Sequence, residues 1–228
     1  MFYGYGALVL QGTLMTLALT VLSVLFSTLL GIAGALCKTS ESRVLRGLAA
    51  LYTTVIRSVP DLVLMLLVFY NFQILVNWLC SLLGVAQIEI NAFGAGVITL
   101  AFIYGAYMTE TFRGAFESVP RGEIEAGFST GMSRWLVFRL ITLPQMIRFA
   151  LPGYSNNVQV VIKSTALVSI LGLVDIIGIT QQVGRSSQHL FFFNVLAALI
   201  YLAFTCATLV VLSYVGKRFN AGVKEALL

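Results

Sequence analysis

The stretch Pro120–Pro144, PRGEIEAGFSTGMSRWLVFRLITLP, decides how this chain is read. It is the longest polar run in an otherwise apolar sequence, and it reads as two short helices around a glycine turn. Pro120 suits a first helical position, and Glu123 and Glu125 place carboxylates in the first turns, where the positive helix end favours them. Gly131 suits the left-handed backbone that ends a helix, and Ser133 is placed to cap the next one. Leu143-Pro144 is expected to stop that second helix.

The surroundings of this stretch are those of a membrane protein. Of 228 residues, 59% are hydrophobic and 10% charged, with a mean hydropathy of +0.95. Soluble domains carry roughly 25% charged residues. Heptads and evenly spaced alternating strands are lacking, which argues for an all-α integral membrane domain rather than a coiled coil or an outer-membrane barrel. The whole chain, 1–228, reads as one such domain. Cys37, Cys80 and Cys206 lie far apart without metal spacing and read as small apolar filler. His189 has no ligand partner at metal spacing, so no metal site is expected.

Apolar runs of about 20 residues, the length that spans the hydrocarbon core, mark about five crossings. They cover about Val9–Leu36, Asp61–Leu83, Phe93–Phe112, Phe149–Leu173 and Phe191–Val215. Gly12, Gly31 and Gly34 in the first allow close helix packing, and the fourth is expected to be interrupted at Pro152, Gly153 and Ser155-Asn156-Asn157. The first eight residues hold no Lys or Arg, so the first span is expected to stay rather than be cleaved. Basic residues set the orientation. Lys38, Arg43, Arg46 and Arg57 follow span one; Arg113, Arg121, Arg134, Arg139 and Arg148 follow span three; Lys217, Arg218 and Lys224 follow span five. The other side holds Arg185. The positive-inside rule then places the N-terminus outside, and both the C-terminus and the opening stretch in the cytoplasm. The surplus charge of +5 belongs to topology and anionic lipid rather than nucleic acid.

Glu125-Ala126-Gly127, three residues, Gly131, and later Phe138 and Leu143-Pro144 resemble the cytoplasmic E-A-A loop of binding-protein-dependent ABC importer permeases, with Gly127 replacing the second Ala. Arg57-Ser58-Val59-Pro60-Asp61-Leu62-Val63 is similar to the R-G-x-P-x-L-V segment of the polar and basic amino-acid branch. Tyr104-Gly105-Ala106-Tyr107, Glu110, Arg113-Gly114-Ala115, and Lys163-Ser164-Thr165-Ala166-Leu167 look like further parts of it. The resemblance implies a type I ABC importer transmembrane domain (MetI-like) whose loop, about 118–146, carries a coupling helix for a separate ATPase. Glu125, Ala126, Gly127, Gly131 and Pro144 would form that element. The resemblance also implies a second permease subunit in a heterodimer, two ABC ATPases, a periplasmic amino-acid-binding protein and an inner-membrane location. The substrate would be a polar, cationic amino acid: histidine, lysine, arginine or ornithine. No G-x-x-x-x-G-K-[ST] loop is present, so ATP and Mg are expected on the partner and none in this chain, which has no catalytic residues of its own.

Asp61, Tyr104, Tyr107, Glu110, Lys163, Ser164 and Thr165 are the candidate substrate pathway. Intramembrane charge is costly unless paired or hydrated. Asp61 follows Pro60, so it serves either as a helix-end charge or as a substrate contact. Glu110 either pairs with Arg113 three residues on or joins Asp61 in a cavity for a cationic side chain. Lys163 either binds a substrate carboxylate or neutralises Glu110. Ser164 stands where relatives often carry an acid. Asn156, Asn157 and Gln159 either line the pathway or satisfy backbone freed around Pro152. An ATP-independent secondary transporter or channel is the main alternative, and it leaves the polar loop without a task. A DNA-binding helix-turn-helix is disfavoured by spans on both sides and by Glu123 and Glu125 facing phosphate.

Overall fold

The computed structural model describes residues 4–87 and 89–219, and every regular element among them is helical. The helices are α1 (Gly6–Thr39), α2 (Arg43–Ser58), α3 (Asp61–Leu82), α4 (Ala92–Glu117), α5 (Arg121–Ser129), α6 (Arg134–Val137), α7 (Leu143–Val168), α8 (Ile176–Ser186) and α9 (Leu190–Phe219). A π-helical turn, Phe138–Thr142, joins α6 to α7, and a 3-10 turn, Ser169–Leu171, ends α7. Lys224, counted above among the basic tail residues, lies outside the described residues.

α1, α3, α4 and α9 are long and apolar enough to cross a membrane, and Arg134–Leu171 with Ile176–Ser186, bent by 55°, makes up a fifth, broken span. About five crossings are therefore found where apolar runs placed them. α4 is the most enclosed of the four long apolar helices and α9 the least. α1 runs beside α4 in parallel: Leu19 lies at Gly96, Gly31 at Met108 and Gly34 at Thr109. A Cβ on Gly31 would collide with the Met108 Cβ and sit 3.0 Å from its carbonyl carbon. Association between membrane helices rests on such close packing, because lipid tails are as apolar as leucine.

Four local expectations need correction. The basic segment after span one is not a loop but the amphipathic helix α2, started by Ser42, whose hydroxyl accepts the Leu45 N–H at 3.5 Å. Its inward residues Ala49, Thr53 and Ile56 recur at helical spacing. Pro120 is the N-cap of α5 rather than its first helical residue, so Glu123 falls in the first turn and Glu125 in the second. Leu143-Pro144 does not end a helix. Pro144 sits in the first turn of α7, where proline is tolerated, and the widened π turn before it carries the chain on without a break. Finally, α7 is not interrupted at Pro152, which lies inside it. The polar residues there are satisfied between helices: buried Asn157 donates to Thr111 Oγ1 at 2.9 Å, and Gly153 lets Thr111 approach. The break comes later, at Gly172 (φ +91°), after which Asp175 caps α8 by accepting the Gly178 N–H at 2.8 Å.

If the α1–α4 seam holds the bundle, Gly31→Val overpacks it and costs about 1–3 kcal/mol. Gly47→Val is the control, since a Cβ at Gly47 meets nothing within 4 Å. Thermal unfolding of the purified protein in detergent checks this: Gly31→Val lowers the midpoint by several degrees, and Gly47→Val leaves it nearly unchanged.

Candidate functional site

The intramembrane polar cluster is built from three elements. α2 and α3 meet at Val59-Pro60, both in extended conformation, and α3 begins at Asp61. Asp61, in its first turn, faces the midpoint of α4. There Tyr104 donates to Asp61 Oδ2 at 2.9 Å and Tyr107 to Oδ1 at 3.2 Å. Tyr104 has one proton, and with that proton given to Asp61 its oxygen accepts from Ser164 of α7 at 2.5 Å. The result is a directed chain, Ser164 to Tyr104 to Asp61. Tyr104 and Ser164 are buried, whereas Asp61 and Tyr107 are only half-buried. The Arg57 guanidinium lies 5.7 Å from the centre of the Tyr107 ring, within cation–π range. Asp61 is thus both the helix-end charge and the acceptor for two phenols.

Glu110 belongs to a different group. It is bonded to Lys38 at the end of α1 and to Arg113 Nε at 2.9 Å, and Arg113 also reaches Glu117 at 2.6 Å. Its charge is therefore met twice. Lys163 does not neutralise it; Lys163 is exposed and forms no ion pair among the described residues. Thr165 points elsewhere again, donating to Ile162 O at 2.7 Å and lying 3.2 Å from the Tyr201 hydroxyl of α9. Of the seven pathway candidates, then, Asp61, Tyr104, Tyr107 and Ser164 converge, while Glu110, Lys163 and Thr165 stand apart. Arg57 joins the cluster without having been singled out for it. The aromatic pattern Tyr104, Tyr107 one turn apart was the signal that a cation would find a ring there.

The loop 118–133 forms a second site. α5 and α6 are joined by a turn in which Gly131 takes φ +84°, and Ser133 caps α6 through the Leu136 N–H at 3.3 Å. Glu125 and Ala126 are exposed, while Gly127 is turned inward. A Cβ at Gly127 would lie 2.7 Å from Ile141 Cδ1 and 3.1 Å from Val137 Cγ2. Glycine at this position thus serves the packing of α5 onto the start of the long helix, and a bond from Gln145 to Glu123 closes the same contact. What remains open to a partner is one face of α5, carrying a carboxylate and small residues, beside half-exposed Phe128 and the stacked pair Trp135–Phe138.

Residues 27–221 match the protein family described as binding-protein-dependent transport system inner membrane component. The chain is 50% identical over 226 residues to the histidine/lysine/arginine/ornithine transport system permease protein HisQ of Escherichia coli (strain K12), covering 99% of each. Among solved structures, the crystal structure of an amino acid ABC transporter with histidines superposes with a TM-score of 0.78 at 32% identity, covering 94% of this chain and 95% of that one. An inward-facing MetNI methionine ABC transporter shares the fold alone, with a TM-score of 0.69 at 17% identity over 94% of this chain and 99% of that one. The type I importer (MetI-like) fold expected from the loop motif is the fold found.

Tyr104→Phe removes one donor from the half-buried Asp61 carboxylate and strands buried Ser164, and it is expected to cost about 1.5–3 kcal/mol, the range for hydrogen bonds to charged groups. Tyr107→Phe, with a longer bond on a half-exposed carboxylate oxygen, costs less. Comparing the two by thermal unfolding in detergent checks the order; equal losses would remove Tyr104 from the centre of the cluster.

Proposed function

We propose a specific transport role for this chain, which belongs to the family of binding-protein-dependent transport system inner membrane components: it is a permease subunit through which a cationic amino acid enters the cell. It works as one half of a membrane pair, with a second permease, two ATPase subunits that bind ATP and Mg, and a periplasmic binding protein that delivers substrate. The N-terminus faces the periplasm and the C-terminus the cytoplasm, as the positive-inside rule directs.

The observation that carries this reading is a continuous helix from Arg134 to Leu171 that joins α6, against which α5 packs, to Ser164 in the polar cluster. α5 offers Glu125 and Ala126 to the ATPase, while Gly127 anchors it from behind. A shift of α5 on the partner is passed to α7 and alters the Ser164–Tyr104–Asp61 chain. Pro144 keeps that connection unbroken because it falls in a first turn.

The cationic substrate follows from charge. Glu110 is saturated by Lys38 and Arg113, whereas Asp61 is held by two phenols and, among the described residues, has no cation at ion-pair distance. A carboxylate held by neutral donors retains a net negative field that attracts a cationic side chain. Arg57, 5.7 Å from the centre of the Tyr107 ring, tempers this field. The substrates in the printed name of the half-identical relative, histidine, lysine, arginine and ornithine, belong to the same class. A secondary transporter would explain Asp61 but leave the exposed face of α5 without use; uptake that survives removal of the ATPase subunits would favour it.

Two experiments test the reading in reconstituted complexes. Asp61→Asn is expected to lower ATP-driven arginine uptake about tenfold, the loss of roughly 1.4 kcal/mol of charge-assisted binding, while neutral amino acids are unaffected. Unchanged uptake and selectivity would sink the role of Asp61. Gly131→Arg places a bulky side chain at φ +84° and is expected to leave membrane insertion intact but abolish ATPase association or coupling. Normal assembly and transport in that variant would remove α5 from the coupling role.

A further inference from the structure

We propose that the groove between the basic ends of α7 and α9 binds one anionic phospholipid, with its phosphate at Arg148 and an acyl chain in the groove. The two helices run antiparallel here, and each offers a single stripe. Arg148, Leu151 and Ser155 line one wall, and Leu209, Leu212 and Gly216 the other. Residues three, four and seven apart share a face of a helix. Between the stripes lies a cavity of about 250 Å³. Gly216 keeps it open: a Cβ there would have no neighbour nearer than Leu151 Cδ1 at 3.9 Å.

Charge and surroundings select the occupant. Arg148 is half-buried at the mouth, its guanidinium 5.9 Å from the centre of the Phe149 ring, and it pairs with no carboxylate among the described residues. Lys217 and Arg218 follow Gly216 directly at the end of α9. Among the described residues no Asp or Glu lines the groove. Further along, Leu151, Pro152, Leu209 and Leu212 make the walls mainly apolar, with Ser155 and Ser213 between them, which suits a hydrocarbon chain better than a soluble anion. α9 is the least enclosed of the four long apolar helices, so the groove opens to the bilayer. Basic mouths between transmembrane helices on the positively charged side are where anionic headgroups collect, and an arginine fork matches phosphate geometry. The groove shares no lining residue with the Asp61 cluster or with the contacts that hold α5.

Native mass spectrometry of the full chain, purified with its co-purifying subunits in neutral detergent, tests the site. The probes are phosphatidylglycerol and phosphatidylcholine with matched acyl chains, and glycerol 1-phosphate as the free headgroup. One phosphatidylglycerol is expected to be retained at least about fivefold more strongly than phosphatidylcholine, with glycerol 1-phosphate failing to displace it. Arg148→Gln is expected to lower phosphatidylglycerol retention roughly fivefold, the worth of one basic residue near the membrane surface. Gly216→Leu fills the groove and is expected to remove both lipids without lowering the unfolding midpoint in lipid-free detergent. Arg139→Gln, a basic residue on the same side but outside the groove, retains the lipid. Equal retention of the two lipids, or undiminished retention in both Arg148→Gln and Gly216→Leu, overturns the proposal. Displacement by glycerol 1-phosphate would assign the mouth to a soluble anion instead. Photo-crosslinking from Ser213 to another subunit rather than to lipid would show the groove to be a protein interface, which overturns it as well.

Discussion

The parallel contact between α1 and α4 is the constraint on which the other contacts depend. Gly31 and Gly34 bring α1 so close that Met108 and Thr109 leave no room for a side chain on either. With α1 on one side, α4 is then enclosed on the rest by α2, α3 and α7. Gly105 admits Leu30 and the Tyr52 hydroxyl, which donates to Phe102 O at 2.5 Å, and Gly153 admits Thr111. A helix enclosed in this way can carry polar groups at its midpoint, because neighbouring helices rather than lipid meet them. Tyr104 occupies that midpoint. Its single hydroxyl serves Asp61 on one side and Ser164 on the other, so the position of α4 sets the geometry of both.

The electrostatics of the bundle divide along the same helix. At its basic end, Glu110 is bonded to Lys38 and Arg113, a closed set in which attraction and desolvation offset each other. At Tyr104 and Tyr107, Asp61 of α3 accepts from two phenols and has no ion-pair partner among the described residues, while Arg57 lies 5.7 Å from the centre of the Tyr107 ring. Two carboxylates at similar depth thus have opposite characters. One fastens α1 to α4, and the other keeps its field available. The sequence alone left open whether they act together, because both are acids within spans and Arg113 stands three residues from Glu110. What separates them is the identity of the donors that the fold brings to each.

The legible features were those with local causes. Apolar runs long enough to span a bilayer, a glycine at a left-handed turn, a serine cap and the bias of basic residues are each written within a few positions. The Glu110–Arg113 pair was readable for the same reason, being three residues apart. The illegible features join distant segments: Lys38 to Glu110 over 72 positions, Asp61 to Tyr104 over 43, and Tyr104 to Ser164 over 60. α2 was hidden because its three arginines signalled a loop more loudly than Ala49, Thr53 and Ile56 signalled an inward face. Pro144 and Pro152 misled in a common way. Proline ends a helix in water by default, but a first turn tolerates it, and inside a membrane bundle neighbouring helices can support the backbone it disturbs.

That tolerance has a mechanical consequence. Because neither proline breaks the chain of turns, Arg134–Leu171 is one element about 57 Å long at 1.5 Å per residue. The π turn at Phe138–Thr142 lies just where α5 packs, with Ile141 of that turn against Gly127. Past Ser164 the element ends at Gly172, whose left-handed backbone turns the chain by 55° into α8. α8 is held separately: Gly12 lets α1 approach Ile176, and Thr16 accepts the Ile176 N–H at 3.1 Å. In the coupling role proposed for α5, a push on it would travel along α7 to Ser164 and be absorbed at Gly172, leaving α8 tied to α1. Were Pro144 or Pro152 a true break, the push would be lost before reaching Ser164. The continuity that the prolines permit is what the proposed coupling requires, because it gives a loop outside the bilayer one unbroken helix to the hydroxyl of Ser164.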